Sequence, residues 1–169
     1  MTRQETTRYI VTGAIIAALY TALTYLSNVF GLAYGPIQLR LSEVLTVLPI
    51  FTPAAISGLT VGCFISNIGS FNVADLAFGT LATLSAAWLS YVLRDVRVKD
   101  FPIFSFLPPI IINALVIGFE IALFYLEADN FFWSFFISFL QIGISQFIVC
   151  FCFGIPFYLG IKNNKIMRF

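Results

Sequence analysis

The sequence predicts an all-α membrane protein, one domain over residues 1–169 with six transmembrane helices. Three observations carry that expectation. Hydrophobic residues make up 60% of the chain and charged residues 10%, against about 25% charged in ordinary globular proteins, so a soluble domain of this size would lack a charged skin. Apolar runs recur along the whole chain, and six helical spans of about 20 residues each would leave room only for short connections. The basic residues gather in three short segments, which decides how often the chain crosses.

The first apolar run extends from Tyr9 to about Leu26 and gives way to Ser27-Asn28 and the Gly31–Pro36 region. It has no A-x-A stop and a second apolar stretch follows, so it reads as a retained span rather than a cleavable signal peptide. The block Leu39–Ile68 is broken by Pro49 and by Thr52-Pro53. It fits either one kinked span or two short ones, and charge decides. Arg3 and Arg8 mark the N-terminus, Arg94, Arg97 and Lys99 the loop to Asp100, and Lys162, Lys165 and Arg168 the C-terminus. One span there would put the basic loop and C-terminus outside. Two spans place all three segments in the cytoplasm, as the excess of Lys and Arg in cytoplasmic loops requires. The predicted spans are therefore 9–27, 39–51, 54–69, 73–93, 102–126 and 131–161, with both termini cytoplasmic.

Several function classes are excluded. The chain has no histidine, hence no His base, proton relay or His metal ligand. No GxxxxGK[ST] phosphate loop occurs, so ATP is not used by that route. The scattered Lys and Arg form no nucleic-acid face. Cys63, Cys150 and Cys152 lie in apolar runs and read as packing rather than as a metal or redox site. With no clear nucleophile–base pair, an enzyme is not expected, and neither is a cofactor.

The remaining charges, Arg40, Glu43, Asp75, Glu120, Glu127 and Asp129, fall at or near the outer ends of their spans. Glu127 and Asp129, beside Asn130, read as solvated turn charges. The other four sit in or beside apolar sequence, where each ionised group costs at least about 2.5 kcal/mol unless paired or hydrated. Arg40 and Glu43 are three apart and suit a local ion pair. Asp75 follows Asn67 and Asn72 and suits either a helix cap or a ligand contact. Glu120 has no basic residue within a helical turn, and Asn113 lies on the same helix face. Gln141 could join Asn113 at the floor of an outward-facing pocket, while Gln146 suits either that floor or a bond between helices. Acids, amides and aromatics together suit a small, flat, donor-rich and cationic solute. The candidate substrate-binding residues are Glu43, Asp75, Asn113, Glu120, Gln141, Arg40 and Asn67. Trp133 reads as an interfacial anchor.

At the cytoplasmic end, Ala14, Ala18 and Ala22 recur every four residues, with Gly13 and Ala17 alongside. Small residues at this spacing let another helix approach closely, either within the bundle or from a separate membrane subunit.

Specific stretches resemble a known family. Tyr34-Gly35-Pro36-Ile37-Gln38-Leu39-Arg40-Leu41-Ser42-Glu43 is similar to the R-L-S-E segment of the QueT family, as are Phe51–Leu59 and Asp75–Leu84. The similarity runs from about Ala14 to Pro156 and is specific in the second to fourth spans. QueT proteins are substrate-binding S components of energy-coupling factor (ECF) transporters for queuosine precursors. The resemblance implies a six-helix S-component bundle in the bacterial cell membrane, with ligand held near the outer face under the loop joining the first two spans. It implies a partner module of one ECF transmembrane subunit and two ATPase subunits, which would supply the ATP chemistry and topple this chain to release substrate. It also implies docking through Ala14 and Ala18, and 7-aminomethyl-7-deazaguanine or a close relative as ligand. The alternatives are an S component for thiamine or riboflavin, or a self-sufficient small transporter.

Overall fold

The computed structural model of the chain describes residues 2–34, 38–70, 72–124 and 130–164. Glu127, Asp129, Lys165 and Arg168 lie outside the described residues, as do Gly35, Pro36 and Ile37.

Among the described residues every element is helical, apart from one isolated bridge between Val98 and Phe101. Helix α1 (Arg3–Val29) is followed by a 3₁₀ helix (Leu41–Ile50) and α2 (Ala54–Ile68). A π-turn (Asp75–Gly79) leads into α3 (Thr80–Val92), and a short 3₁₀ turn (Ile103–Phe106) into α4 (Leu107–Phe124). The last rod is α5 (Phe131–Ile148), a π-turn (Val149–Gly154) and α6 (Ile155–Asn164). These are six rods, of which four are long and apolar enough to cross a membrane alone: Arg3–Val29, Asp75–Asp95, Ile103–Phe124 and Phe131–Asn163. Leu41–Ile50 and Ala54–Ile68 are shorter apolar helices. At about 2.0 and 1.5 Å per residue, each extends roughly 20 Å, short of the ~30 Å hydrocarbon thickness.

The break between those two helices falls at Phe51–Pro53. Pro49 has no N–H, and its ring would collide with the carbonyl four residues back in an α-helix, so the segment winds more tightly. Thr46 Oγ1 donates to Glu43 O at 2.6 Å, occupying a carbonyl in this 3₁₀ run. Thr52 Oγ1 then accepts from Ala54 N at 3.3 Å and starts α2. At the other end of the chain's first rod, Thr2 and Glu5 form a reciprocal capping box, which carries α1 back to Arg3.

The distribution of polarity is inverted relative to a water-soluble protein. Ile10, Ile15, Leu19, Leu81, Trp88, Phe119, Leu123, Phe136 and Ile144 are exposed, while Thr24, Arg40, Glu43, Asn67, Asp75, Asn113, Glu120 and Ser138 are buried. Such a surface belongs in lipid, and the chain is a multi-pass membrane protein. The 3₁₀ helix sits at the centre. Ser42, Glu43, Leu45 through Ile50 are all buried on it, against α1, α2, α3 and the second π-turn.

Helices α1 and α2 touch almost backbone to backbone. A Cβ at Gly58 would lie 2.7 Å from Gly13 O, and one at Gly62 would lie 2.8 Å from both Ala17 O and Tyr20 Cβ. Gly13 and Ala17 are thus the small residues that the bundle itself uses, whereas Ala14, Ala18 and Ala22 are exposed on the opposite side of α1. Ser27 Oγ accepts from Leu41 N at 2.9 Å and ties the end of α1 to the 3₁₀ helix.

One end of the bundle collects the basic segments. Tyr9 donates its hydroxyl to Pro53 O at 3.4 Å, Phe51 packs on Tyr158 with ring centres 5.2 Å apart, and Tyr158 packs on Phe101 at 5.3 Å. Lys162 Nζ donates to Asp100 O at 3.4 Å. The start of α1, the Pro53 break, the 94–100 loop and the end of α6 are joined by this chain of contacts. Lys99 and Asp100 turn the loop tightly in left-handed conformations, with φ of 49° and 63°.

Because the Gly62 clash is with backbone, Gly62→Ala is expected to destabilise by about 1–3 kcal/mol. Gly143→Ala, which meets only Ala114 Cβ at an ordinary 3.6 Å, is expected to be neutral or mildly stabilising through helix propensity. Thermal unfolding of the two variants in one detergent checks this; equal midpoints would remove the close-packing argument.

Candidate functional site

The end of the bundle opposite the basic segments holds a connected set of buried polar side chains. Arg40 precedes the 3₁₀ helix and is 6% exposed. Its Nε donates to Ala33 O at 2.7 Å and its Nη1 to Asn67 Oδ1 at 3.1 Å, while the guanidinium lies 5.1 Å from the Tyr34 ring centre. Tyr34 donates its hydroxyl to Ser66 O. Burial pushes the Tyr34 phenol above its ordinary range, so it stays a neutral donor across physiological pH.

Asn67 joins two elements. Besides accepting from Arg40, its Nδ2 donates to Asp75 O at 2.9 Å and lies 3.4 Å from Cys63 Sγ. The first π-turn approaches so closely that a Cβ at Gly79 would fall 2.5 Å from Asn67 Nδ2. Glycine at that position lets the Asn67 amide reach the main chain of Asp75.

The acids divide into two levels along α4. Asn113 and Glu120 share its inward face, about 10 Å apart at 1.5 Å per residue. At the first level Glu43, 3% exposed, accepts from Tyr20 Oη at 2.5 Å through Oε1 and from Asn113 Nδ2 at 3.5 Å through Oε2. The expected local Arg40–Glu43 ion pair therefore does not form. Arg40 lies before the helix rather than on its face, with Nε turned to Ala33 O and Nη1 to Asn67 Oδ1. At the second level Glu120, 1% exposed, is in side-chain hydrogen-bond contact with Asp75, 2% exposed. Its Oε1 has no hydrogen-bond partner among the described residues. Arg40 lies within electrostatic range of Glu43 and Glu120.

Asp75 is not a helix cap. Asn72 takes that role, its Oδ1 accepting from Ala74 N at 2.9 Å, and Asp75 turns inward from the π-turn. Gln141 stands apart from the cluster: it is half-buried on α5. Gln146 is buried 4.0 Å from Cys150 Sγ on its own rod. Six of the seven candidate residues, Arg40, Glu43, Asn67, Asp75, Asn113 and Glu120, are thus buried together, and Gln141 is not among them. Trp133 is exposed and stacks on Phe136 at 5.9 Å.

Tyr20 and Tyr34 are the participants that sequence reasoning missed. A signal for Tyr20 existed in the spacing Gly13, Ile16, Ala17, Tyr20, Thr24, Ser27, one inward face of α1 that turns polar toward its end. Tyr34 carried none, because its role depends on a loop folding back onto α2.

The sequence matches the QueT transporter family over residues 10–163. The chain belongs to the QueT transporter family. A relative, the queuosine precursor transporter QueT of Lactococcus lactis subsp. cremoris (strain MG1363), is 40% identical over 99 residues, which are 59% of this chain and 59% of that protein. The match thus spans about three-fifths of the relative's length. No solved structure matches the chain. Ionisable residues buried within membrane-spanning segments mark substrate or ion pathways, proton relays or internal pairs.

The two hydrogen bonds to Glu43 differ in length, and their loss is expected to differ in cost. Tyr20→Phe leaves a buried carboxyl oxygen without its donor and is expected to cost about 1–3 kcal/mol. Asn113→Leu, which removes a bond at the distance limit, is expected to cost less. Thermal unfolding in detergent orders the pair, and the reverse order would mean that Asn113 holds Glu43.

Proposed function

We propose that this chain is the substrate-capture subunit of an ECF-type importer and binds a queuosine precursor, 7-aminomethyl-7-deazaguanine or a close relative. The observation that carries the reading is the Asp75–Glu120 pair: two buried acids in contact, with Glu120 Oε1 unmet. Carboxyl oxygens in such a site accept from an ammonium or from the N–H edge of a guanine-like ring. The family membership and the name of the 40% identical relative support the ligand class.

Orientation follows from charge. Arg3, Arg8, Arg94, Arg97, Lys99 and Lys162 lie on the segments joined at one end of the bundle, and basic loops face the cytoplasm. Both termini are then cytoplasmic, and the buried Arg40–Asn67–Asp75–Glu120 cluster lies toward the outer face. Substrate enters at that end, with Glu120 and Asp75 meeting its cation or its N–H edge. Asn113 and Glu43 form the level below, and Gln141 is half-buried on α5. Arg40 holds the loop carbonyl and Asn67 in place while offsetting part of the acids' charge. The chain contributes no ATP site. Its energy comes from a partner module of one ECF transmembrane subunit and two ATPase subunits, docked on the exposed stripe Ala14, Ala18 and Ala22.

The direct test is calorimetric titration of the solitary protein with 7-aminomethyl-7-deazaguanine, with guanine, thiamine and riboflavin as controls. Selective submicromolar binding, about −8 kcal/mol or better, is expected. Tight binding of thiamine or riboflavin instead would replace the substrate, and no binding would leave the proposed ligand unsupported. Glu120→Gln is expected to weaken binding at least tenfold, about 1.4 kcal/mol; unchanged affinity would remove Glu120 from the site. Ala14→Trp or Ala18→Trp is expected to spare binding and abolish assembly with the partner module in a co-purification assay. Retained assembly would free the stripe of that role, and uptake by vesicles lacking any ATPase would favour a self-sufficient transporter.

A further inference from the structure

Two carboxyl groups in hydrogen-bond contact need a proton between them, because two ionised carboxylates offer acceptors and no donor. Asp75 and Glu120 meet in this way, each nearly sealed from solvent. Among the described residues, few other ionisable groups face them. From α2 come Asn67, whose amide is spent on Arg40 and the Asp75 main chain, and Cys63, which lies against Asn67 and accepts from Thr83 Oγ1 at 3.2 Å. From the loop come Tyr34 and the guanidinium of Arg40, whose described hydrogen bonds go to Ala33 and Asn67. The acid on the 3₁₀ helix, Glu43, is held by Tyr20 and Asn113. Helix α5 carries no ionisable residue over Phe131–Ile148, and α3 none before Tyr91.

The pair therefore has one acceptor atom to spare, Glu120 Oε1, and one proton that a cation can replace. We infer that capture of a cationic substrate at this site is an exchange: the ligand's ammonium group takes the place of the proton shared by Asp75 and Glu120, and that proton passes to bulk water. The inference rests on the reading above and adds the chemistry by which the site tells a charged arm from a neutral one. Charge is conserved in the step. The pair goes from one negative charge to two, the ammonium keeps its positive charge, and one proton is released. An ammonium brings three donors where the shared proton brought one, so it reaches both carboxyl groups and the unmet oxygen together. A neutral arm of the same size leaves the proton where it is and the oxygen unmet. The exchange also fixes the sign of the pH dependence: affinity rises with pH as long as the amine stays protonated.

The test is titration of the full-length protein in nanodiscs with 7-aminomethyl-7-deazaguanine and with its neutral counterpart carrying methyl in place of aminomethyl. Each titration is run at two pH values one unit apart, and at each pH in two buffers of different ionisation enthalpy. For the cationic ligand, the observed heat is expected to change with the buffer as release of one proton requires, and affinity to rise about tenfold per pH unit. The neutral ligand is expected to show no buffer dependence and weaker binding. Binding of the cationic ligand with buffer-independent heat overturns the exchange and leaves the capture reading intact, whereas failure of both ligands to bind overturns the two together. A ligand-free measurement stands beside it. Infrared spectra of the parent protein at neutral pH are expected to show a carboxylic-acid carbonyl band that is lost in Glu120→Gln, and absence of the band in the parent overturns the shared proton.

Discussion

Arg40 is the group on which the polar interior depends. A guanidinium taken out of water costs several kcal/mol unless its donors are met and its charge is answered. Here Nε meets the Ala33 carbonyl and Nη1 the Asn67 side chain, the plane lies near Tyr34, and the answering charges are acids on the 3₁₀ helix and α4. These partners are spread over the loop after α1, the 3₁₀ helix, α2 and α4. Satisfying one cation therefore draws the loop after α1, the start of the 3₁₀ helix, α2 and α4 to one end of the bundle. Asn67 extends the set to the first π-turn by binding the Asp75 carbonyl.

Close packing makes that convergence possible. Helices α1 and α2 approach each other closely through Gly13, Ala17, Gly58 and Gly62, and the 3₁₀ helix packs against both. Its ten residues cover more length than ten α-helical residues would, and present Ser42, Glu43 and Thr46 to an interior that must supply every hydrogen bond itself. Thr24 Oγ1 lies 2.8 Å from Ser42 Oγ and Ser27 holds Leu41 N, so the polar edge of α1 meets the polar start of the 3₁₀ helix. The alanines left on the outside of α1 are a separate surface, facing away from this packing.

Much of the architecture was legible in the chain. Composition and run length mark a membrane bundle, because lipid selects apolar surfaces and internally hydrogen-bonded helices regardless of detail. Pro49 and Thr52-Pro53 mark the break in the second apolar block for a local reason, the missing N–H and the ring clash. The buried acids could be named because a charge within apolar sequence is costly wherever it ends up. What the chain left open was which side chains meet. Arg40 and Glu43, three apart, looked like a pair, yet the segment winds as a 3₁₀ helix with Arg40 ahead of it. Asp75 suited either a cap or a ligand contact; Asn72 is the cap, and Asp75 is buried in the π-turn.

The sequence alone determined that this protein lives in a membrane, how its apolar segments divide and which residues are too polar to be there without a purpose. These follow from transfer energies and local backbone sterics, which depend on each residue and its near neighbours. Only the tertiary structure decided that Glu43 belongs to Tyr20 and Asn113, that Glu120 meets Asp75, and that Arg40 turns to Ala33 and Asn67. Those partners lie from 7 to 70 residues apart in the chain. Their meeting is set by helix rotation and close approach, which no single segment encodes.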